Sequence, residues 1–186
     1  MLQLLDIAKS FLNQAKIKTD GILVDFTMGN GYDTLYLCSL VPEGRVYAFD
    51  IQEQALINTR ARLDDAGVTA DVMLINDSHA NAEKYIDGEI DAGMFNLGYL
   101  PGGDKMVHTM HESTLCAVKA AVGMLKPGGV LVISVYPGHK EGKIEGDMLL
   151  DMLSEYDKKF YSAARFHIIN SPDAPYVIAV ERYDKK

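Results

Sequence analysis

From residue 22 to residue 156, short apolar strand patterns alternate with amphipathic helical ones, and this alternation leaves the chain few folds to choose from. Helical spacing first places Leu4, Ala8, Phe11, Leu12 and Ala15 on one face. Asp20-Gly21 breaks that pattern, and Ile22-Leu23-Val24-Asp25-Phe26 reads as a short buried strand. A glycine-containing turn leads into a helix from Asp33 to Leu40, then a strand from Arg45 to Asp50. The next helix, Gln52 to Ala66, carries Ala55, Leu56, Thr59, Leu63 and Ala66 on one face and stops at Gly67. Strands from Asp71 to Ile75 and Ile90 to Phe95 follow, then a long helix from Asp104 to Leu125 that ends at Lys126-Pro127-Gly128-Gly129. Val130 to Tyr136 is apolar and β-branched, as a central strand covered on both faces would be. After a helix from Glu141 to Tyr156, the strands Ala163 to Ile169 and Tyr176 to Arg182 have no helix between them. Such a pair closes antiparallel.

The expected fold is therefore α/β and Rossmann-like. A mostly parallel seven-stranded sheet carries helices on both faces and ends in a C-terminal antiparallel hairpin, the class I methyltransferase arrangement. No linker or repeat divides the 186 residues, so residues 1–186 form one domain. A formal net charge of -8 argues against coating long nucleic acid, which needs a basic excess, and leaves recognition of a loop or a single nucleotide open. Cys38 and Cys116 stand alone, outside any metal-ligand spacing, so neither a metal site nor a disulfide is expected. With no signal-peptide pattern and no apolar run of membrane-spanning length, the reading is a cytoplasmic protein without a membrane partner.

The turn after the first strand reads Val24-Asp25-Phe26-Thr27-Met28-Gly29-Asn30-Gly31-Tyr32-Asp33-Thr34. Glycines there let backbone approach a ligand, at the sheet edge where open parallel sheets bind ligands. The next strand ends at Asp50, about 20 residues on, where an acid can accept hydrogen bonds from both hydroxyls of a ribose. A dinucleotide site favours a third glycine where Thr34 stands, which disfavours a dehydrogenase. S-adenosylmethionine has no pyrophosphate, and polar loop residues such as Asn30 and Asp33 suit its ammonium and carboxylate. Asn76-Asp77-Ser78-His79 after the third strand can reach the adenine edge, and Leu125-Lys126-Pro127-Gly128-Gly129 completes a common methyltransferase pattern. Taken singly, the glycines could serve only a tight turn and Asp50 only a helix cap.

The segments VDFTMGNGYDTLYL, VYAFDIQEQALINTR, NDSHAN, FNLGYLPGGDK and VYPGHKEGKIE together resemble a bacterial family long labelled rRNA methylases. The resemblance covers nearly the whole chain and departs from the family at Phe26, Met28 and Tyr32. Members are associated with methylating the aminomethyl group of 5-aminomethyl-2-thiouridine at the tRNA wobble position. It implies that S-adenosylmethionine is the cofactor, S-adenosylhomocysteine the product, and the tRNA anticodon loop the partner. Cofactor contacts are expected from Thr27, Gly29, Asn30, Gly31, Asp33, Asp50, Gln52, Ser78 and His79.

For the chemistry, three residues are singled out. Asn96, at the end of the fourth strand, is placed to orient the target amine through its side-chain or backbone carbonyl. Tyr99, in the Gly98-Tyr99-Leu100-Pro101-Gly102 turn, would pack on the uracil ring or simply shape the loop. His139 would accept a proton or contact a phosphate. Lys105, His108, Lys140 and Lys143 border the same edge and are candidates for phosphate contacts, whereas His111 and His167 read as structural or exposed. Competing acceptors are rRNA or a small molecule, and the competing class is a non-catalytic cofactor- or RNA-binding protein. A homodimer is the expected assembly.

Overall fold

The computed structural model describes residues 4–97, 111–138 and 140–184. Its sheet has seven strands in the order β3-β2-β1-β4-β5-β7-β6. In chain order the elements are α1 (Leu4–Gln14), β1 (Ile22–Asp25), α2 (Tyr32–Leu40), β2 (Arg45–Phe49), α3 (Glu53–Asp65), β3 (Asp71–Ile75), a short 3-10 helix (His79–Lys84), β4 (Ile90–Asn96), α4 (His111–Met124), β5 (Leu125–Val135), α5 (Lys140–Ser154), β6 (Tyr161–Phe166) and β7 (Tyr176–Arg182). The first five strands pair in parallel, and β7 then runs antiparallel to both β5 and β6. This is the class I methyltransferase fold.

Side chains alternate across each strand, so each face of the sheet collects its own core. On one face Leu23, Val46, Ala92, Met94, Val130, Val132 and Val177 pack under Ala8 and Leu12 of α1 and Leu37 and Cys38 of α2. On the other, Val24, Phe49, Phe95, Leu131, Ile133 and Ile178 meet Ala117, Val118 and Ala121 of α4 and Leu149 and Leu153 of α5. Phe26 stacks on Phe95 with ring centroids 4.2 Å apart, and on Phe49 at 6.2 Å. The phenylalanine at 26 thus builds an aromatic row beneath the strand ends.

Sequence and structure differ at a few boundaries. The strand expected from Val130 begins at Leu125, because the Lys-Pro-Gly-Gly segment is carried as an irregularity in the β4–β5 ladder. Gly128 takes the bend with φ 82°. The last hairpin starts earlier than expected, at Tyr161, which pairs with Arg182 and sets its ring edge-on to Tyr156. Of the helix expected from Asp104, residues 111–124 lie within the described part. Cys38 is buried and Cys116 exposed, both as free thiols.

Sheet order reverses between β1 and β4, which is where ligands sit in open α/β sheets. The strands also end unevenly there. Asp25 closes β1 and pairs with Met94, while β4 continues two residues to Asn96 and β5 continues alongside it. Two extra residues extend the wall by roughly 6.6 Å. A crevice follows, floored by β1 and walled by β4 and β5.

Candidate active site

Asp25 organises the floor. Fully buried, it accepts hydrogen bonds from Thr27 N (3.1 Å) and from the Thr34 hydroxyl (2.7 Å). Thr34 occupies the place of a third glycine, and its hydroxyl, not a bare backbone, makes the contact between helix and strand. Thr27 then accepts from Asn96 N at 2.7 Å, which ties the loop to β4. Gly29 and Gly31 adopt φ of 51° and 78°. A Cβ on Gly31 would lie 2.8 Å from Thr59 Oγ1, so this turn admits no side chain against α3.

Burial, with repulsion from Asp33 behind it, pushes the Asp25 carboxyl up to about 7. Below about pH 4 the folded and unfolded chains both hold this proton. Between about 4 and 7 only the folded chain keeps it, so stability falls as pH rises, and above 7 the cost persists in full. Asp25→Asn should remove that slope, on the order of 3 kcal/mol. Urea unfolding at pH 5 and pH 7.5 checks this. Equal slopes in the two proteins would show that Asp25 ionises as freely in the fold as in the open chain.

At the end of β2, Asp50 turns its carboxylate into the loop. Its two oxygens accept from Gly29 N and Gln52 N, each at 3.0 Å, and burial raises it above the usual carboxylate range. The Ile51 backbone also bonds to it, and with about four lone-pair positions the carboxylate keeps capacity for a further donor. That is what a ribose hydroxyl needs. Beside it Ile51 is 54% exposed, an apolar platform the sequence reading did not single out.

The remaining loop residues separate into two groups. Asn30 is tied to α3, accepting from Asn58 Nδ2 on its side chain (2.8 Å) and from Arg62 Nε on its carbonyl (2.7 Å). Arg62 also stacks on Tyr32, 3.5 Å from the ring centroid, which gives the exposed tyrosine a bracing role. Ser78 caps the 3-10 helix through Ala80 N. His79 turns inward rather than outward, with Nδ1 on Phe26 O (3.1 Å) and its ring edge-on to Phe95. Burial holds that imidazole below its usual range, so it is neutral. Asp77, in the same segment, receives hydrogen bonds from Asn81, Tyr85 and Ser78 N, which lower its pKa.

Asp33 and Asn96 meet across the crevice, Asn96 Nδ2 donating to Asp33 Oδ2. Lys9 Nζ stands 3.9 Å from the other Asp33 oxygen. Burial raises the Asp33 carboxyl despite Lys9, and Tyr136 is raised by burial and by Asp33. While its nitrogen donates to Asp33, the other end of the Asn96 amide, Oδ1, is buried and has no hydrogen-bond partner. Unmet buried acceptors cost about 1–3 kcal/mol, and each calls for a partner or a function.

The structure therefore gathers Thr27, Gly29, Asn30, Gly31, Asp33, Asp50, Gln52, Ser78, His79 and Asn96 at the carboxyl ends of β1 to β4. Tyr99 and His139 lie outside the described residues, as do Lys105 and His108; Lys140, Lys143 and His167 are exposed. Among the described residues no group of three or more His, Cys, Asp or Glu side chains could hold a metal. None of their helices is long and apolar enough to cross a membrane.

Comparison with known proteins adds the lineage. A family model described as "Putative rRNA methylase" matches residues 46–181. A tRNA (mnm5s2U34)-methyltransferase, chloroplastic, of Arabidopsis thaliana is 35% identical over 173 residues, 87% of this chain; the chain spans 63% of that protein. A crystal structure described in the family's own terms, from Clostridium thermocellum, is 37% identical, covers 98% of both chains and superposes with a TM-score of 0.92. A Streptococcus mutans protein solved in complex with SAH is also 37% identical, covers 98% of this chain and 99% of its own, with a TM-score of 0.88.

Proposed function

Given that the chain belongs to the rRNA methylase family, we propose that it is an S-adenosylmethionine-dependent N-methyltransferase. We further propose that it converts the 5-aminomethyl group of the wobble 2-thiouridine in tRNA to 5-methylaminomethyl. The observation that carries this reading is Asn96: an amide anchored on Asp33, with its carbonyl oxygen buried and unpartnered at the crevice between β1 and β4. The Arabidopsis relative, by its name a wobble-uridine methyltransferase, supports the choice of acceptor.

The residues fit the cofactor. Asp50 has acceptor capacity for a ribose hydroxyl, Ile51 an apolar face for adenine, and the glycine turn room for the methionine chain. Asp33 keeps acceptor capacity for the ammonium. When bound, S-adenosylmethionine supplies a methyl group on a positively charged sulfur. The protein's task is to present a neutral amine with its lone pair aimed at that carbon. Asn96 Oδ1 can take one N–H of the amine while Asp33 fixes the amide the right way round. An uncharged amide oxygen as the direct acceptor favours the neutral amine over the ammonium, whose desolvation is costly. Proximity then supplies most of the rate.

The reading places the enzyme in the cytoplasm, with the anticodon loop of tRNA as partner and a homodimer as its assembly. Sedimentation as a monomer at micromolar concentrations would remove the dimer. The function is tested by nucleoside mass spectrometry of tRNA from a strain lacking the protein. The methylated wobble nucleoside should vanish while its aminomethyl precursor accumulates. An unchanged tRNA profile with a methyl group missing from rRNA would move the acceptor to rRNA. Loss from neither, with intact cofactor binding, would leave a small-molecule enzyme or a silent binder.

A further inference from the structure

Three buried polar atoms among the described residues have no hydrogen-bond partner: His79 Nε2, Asn96 Oδ1 and Ser134 Oγ. His79 sits against Phe95 on the face covered by α4 and α5. The other two belong together. Asn96 and Ser134 are register partners on the parallel strands β4 and β5, so their side chains leave the same face of the sheet from backbones roughly 4.8 Å apart. That face is the one bearing Asp25, Ala92, Met94, Val130 and Val132, two residues beyond where β1 stops. Leu97 N binds Ser134 O at 3.0 Å, which locks the two strand ends side by side.

Ser134 is 1% exposed and lies in an otherwise apolar run, Val130 to Val135. A valine or alanine there would leave no hydroxyl to satisfy. Its across-strand neighbour on the other side is Val177, which offers no side-chain donor or acceptor. Nothing in the described fold uses this oxygen.

We propose that Ser134 Oγ and Asn96 Oδ1 form a paired acceptor for the two N–H groups of a primary amine, making Ser134 a specificity-determining residue. The inference rests on the proposed function and deepens it. A neutral primary amine has two N–H donors and one lone pair. With both hydrogens held by oxygens on one sheet face, the lone pair points away from them, toward the methyl donor. In the transfer, the nitrogen lone pair forms the new N–CH3 bond and the S–CH3 pair returns to sulfur. The extra proton on nitrogen passes to solvent as the secondary amine leaves. That product keeps a single N–H, so it can satisfy only one of the two buried oxygens. Re-entry for a second methylation therefore leaves a buried acceptor unpaired, and the reaction stops at one methyl group.

Ser134→Ala removes one atom from the core and should fold, which unchanged calorimetric affinity for S-adenosylhomocysteine verifies. The probes are two synthetic anticodon stem-loops, one carrying 5-aminomethyl-2-thiouridine and one its monomethylated form. Wild-type protein should bind the primary amine about tenfold more tightly than the secondary one. In Ser134→Ala that preference should vanish through loss of primary-amine affinity alone, and dimethylated nucleoside should appear in digests after turnover. Wild-type methylation with an unchanged preference and product in the variant would overturn the pairing and leave the function standing. Equal weakening toward both stem-loops would do the same, since that is what a structural role produces. A wild-type protein that transfers no methyl to the aminomethyl stem-loop would overturn the function, and this inference with it.

Discussion

Replacing Asp50 by alanine should raise the dissociation constant for S-adenosylmethionine at least a hundredfold, measured by isothermal titration calorimetry. Two contributions add. Each ribose hydroxyl that donates to an ionised carboxylate is worth about 1.5–3 kcal/mol, and the proposed role gives Asp50 at least one. The carboxylate also holds the loop, through Gly29 N and Gln52 N, so its removal frees two backbone donors and loosens the turn that faces the methionine chain. Solvent screening reduces this less than it would for a surface acid, because Asp50 is buried enough for its carboxyl to be raised. Asp50→Asn keeps one acceptor oxygen and should fall between alanine and wild type. The raised carboxyl adds a sign: affinity should weaken on acidification sooner than an exposed aspartate would allow, because protonation removes an acceptor. Affinity within threefold of wild type in Asp50→Ala would mean the ribose is held elsewhere.

The fold was legible because its signal is periodic. Each buried parallel strand had to be an apolar run and each covering helix amphipathic, so the strands expected at Ile22–Phe26, Arg45–Asp50 and Asp71–Ile75 stood out, and they form at Ile22–Asp25, Arg45–Phe49 and Asp71–Ile75. Asp50 stood out as a candidate for a similar reason: an acid closes an apolar strand about 20 residues after a glycine turn. What sequence could not convey is which way a polar side chain turns once several compete. Asn30 and His79 sit in the right segments, but Asn58 and Arg62 draw the first toward α3 and the Phe26 carbonyl draws the second inward. Asp25 lay inside the glycine motif as one of its letters. Only its complete burial, and its bonds to Thr27 and Thr34, reveal it as the fixture that holds the loop. Lys9 comes from a helix that looked purely structural, and Tyr136 from the end of a core strand; both reach the site through Asp33. Ser134 was the least visible of all, since a serine within an apolar run looks like tolerated core until strand register sets it beside Asn96.

Asn96→Ala should separate chemistry from cofactor binding more cleanly than any other substitution in the crevice. The backbone of residue 96 donates to Thr27 Oγ1, and alanine keeps that bond, so the loop and its cofactor should stay in place. Affinity for S-adenosylmethionine is therefore expected within about threefold of wild type. The side chain, by contrast, ends in a buried oxygen that has no hydrogen-bond partner. Without it the amine loses both an acceptor and its orientation, and misplacement by about 1 Å is enough for a hundredfold loss in rate. The kcat should accordingly fall about 10²- to 10³-fold in single-turnover assays on aminomethyl tRNA, equivalent to about 3–4 kcal/mol of transition-state stabilisation. Asn96→Asp should do no better, although it is nearly isosteric. It replaces the donor that Asp33 now receives with an acceptor, and sets two carboxyl groups face to face, raising Asp33 further. Aspartate restoring turnover would show that any oxygen at this position suffices, since a carboxylate accepts but cannot donate to Asp33. Turnover undiminished in both variants would remove Asn96 from the chemistry and leave its buried oxygen without a purpose.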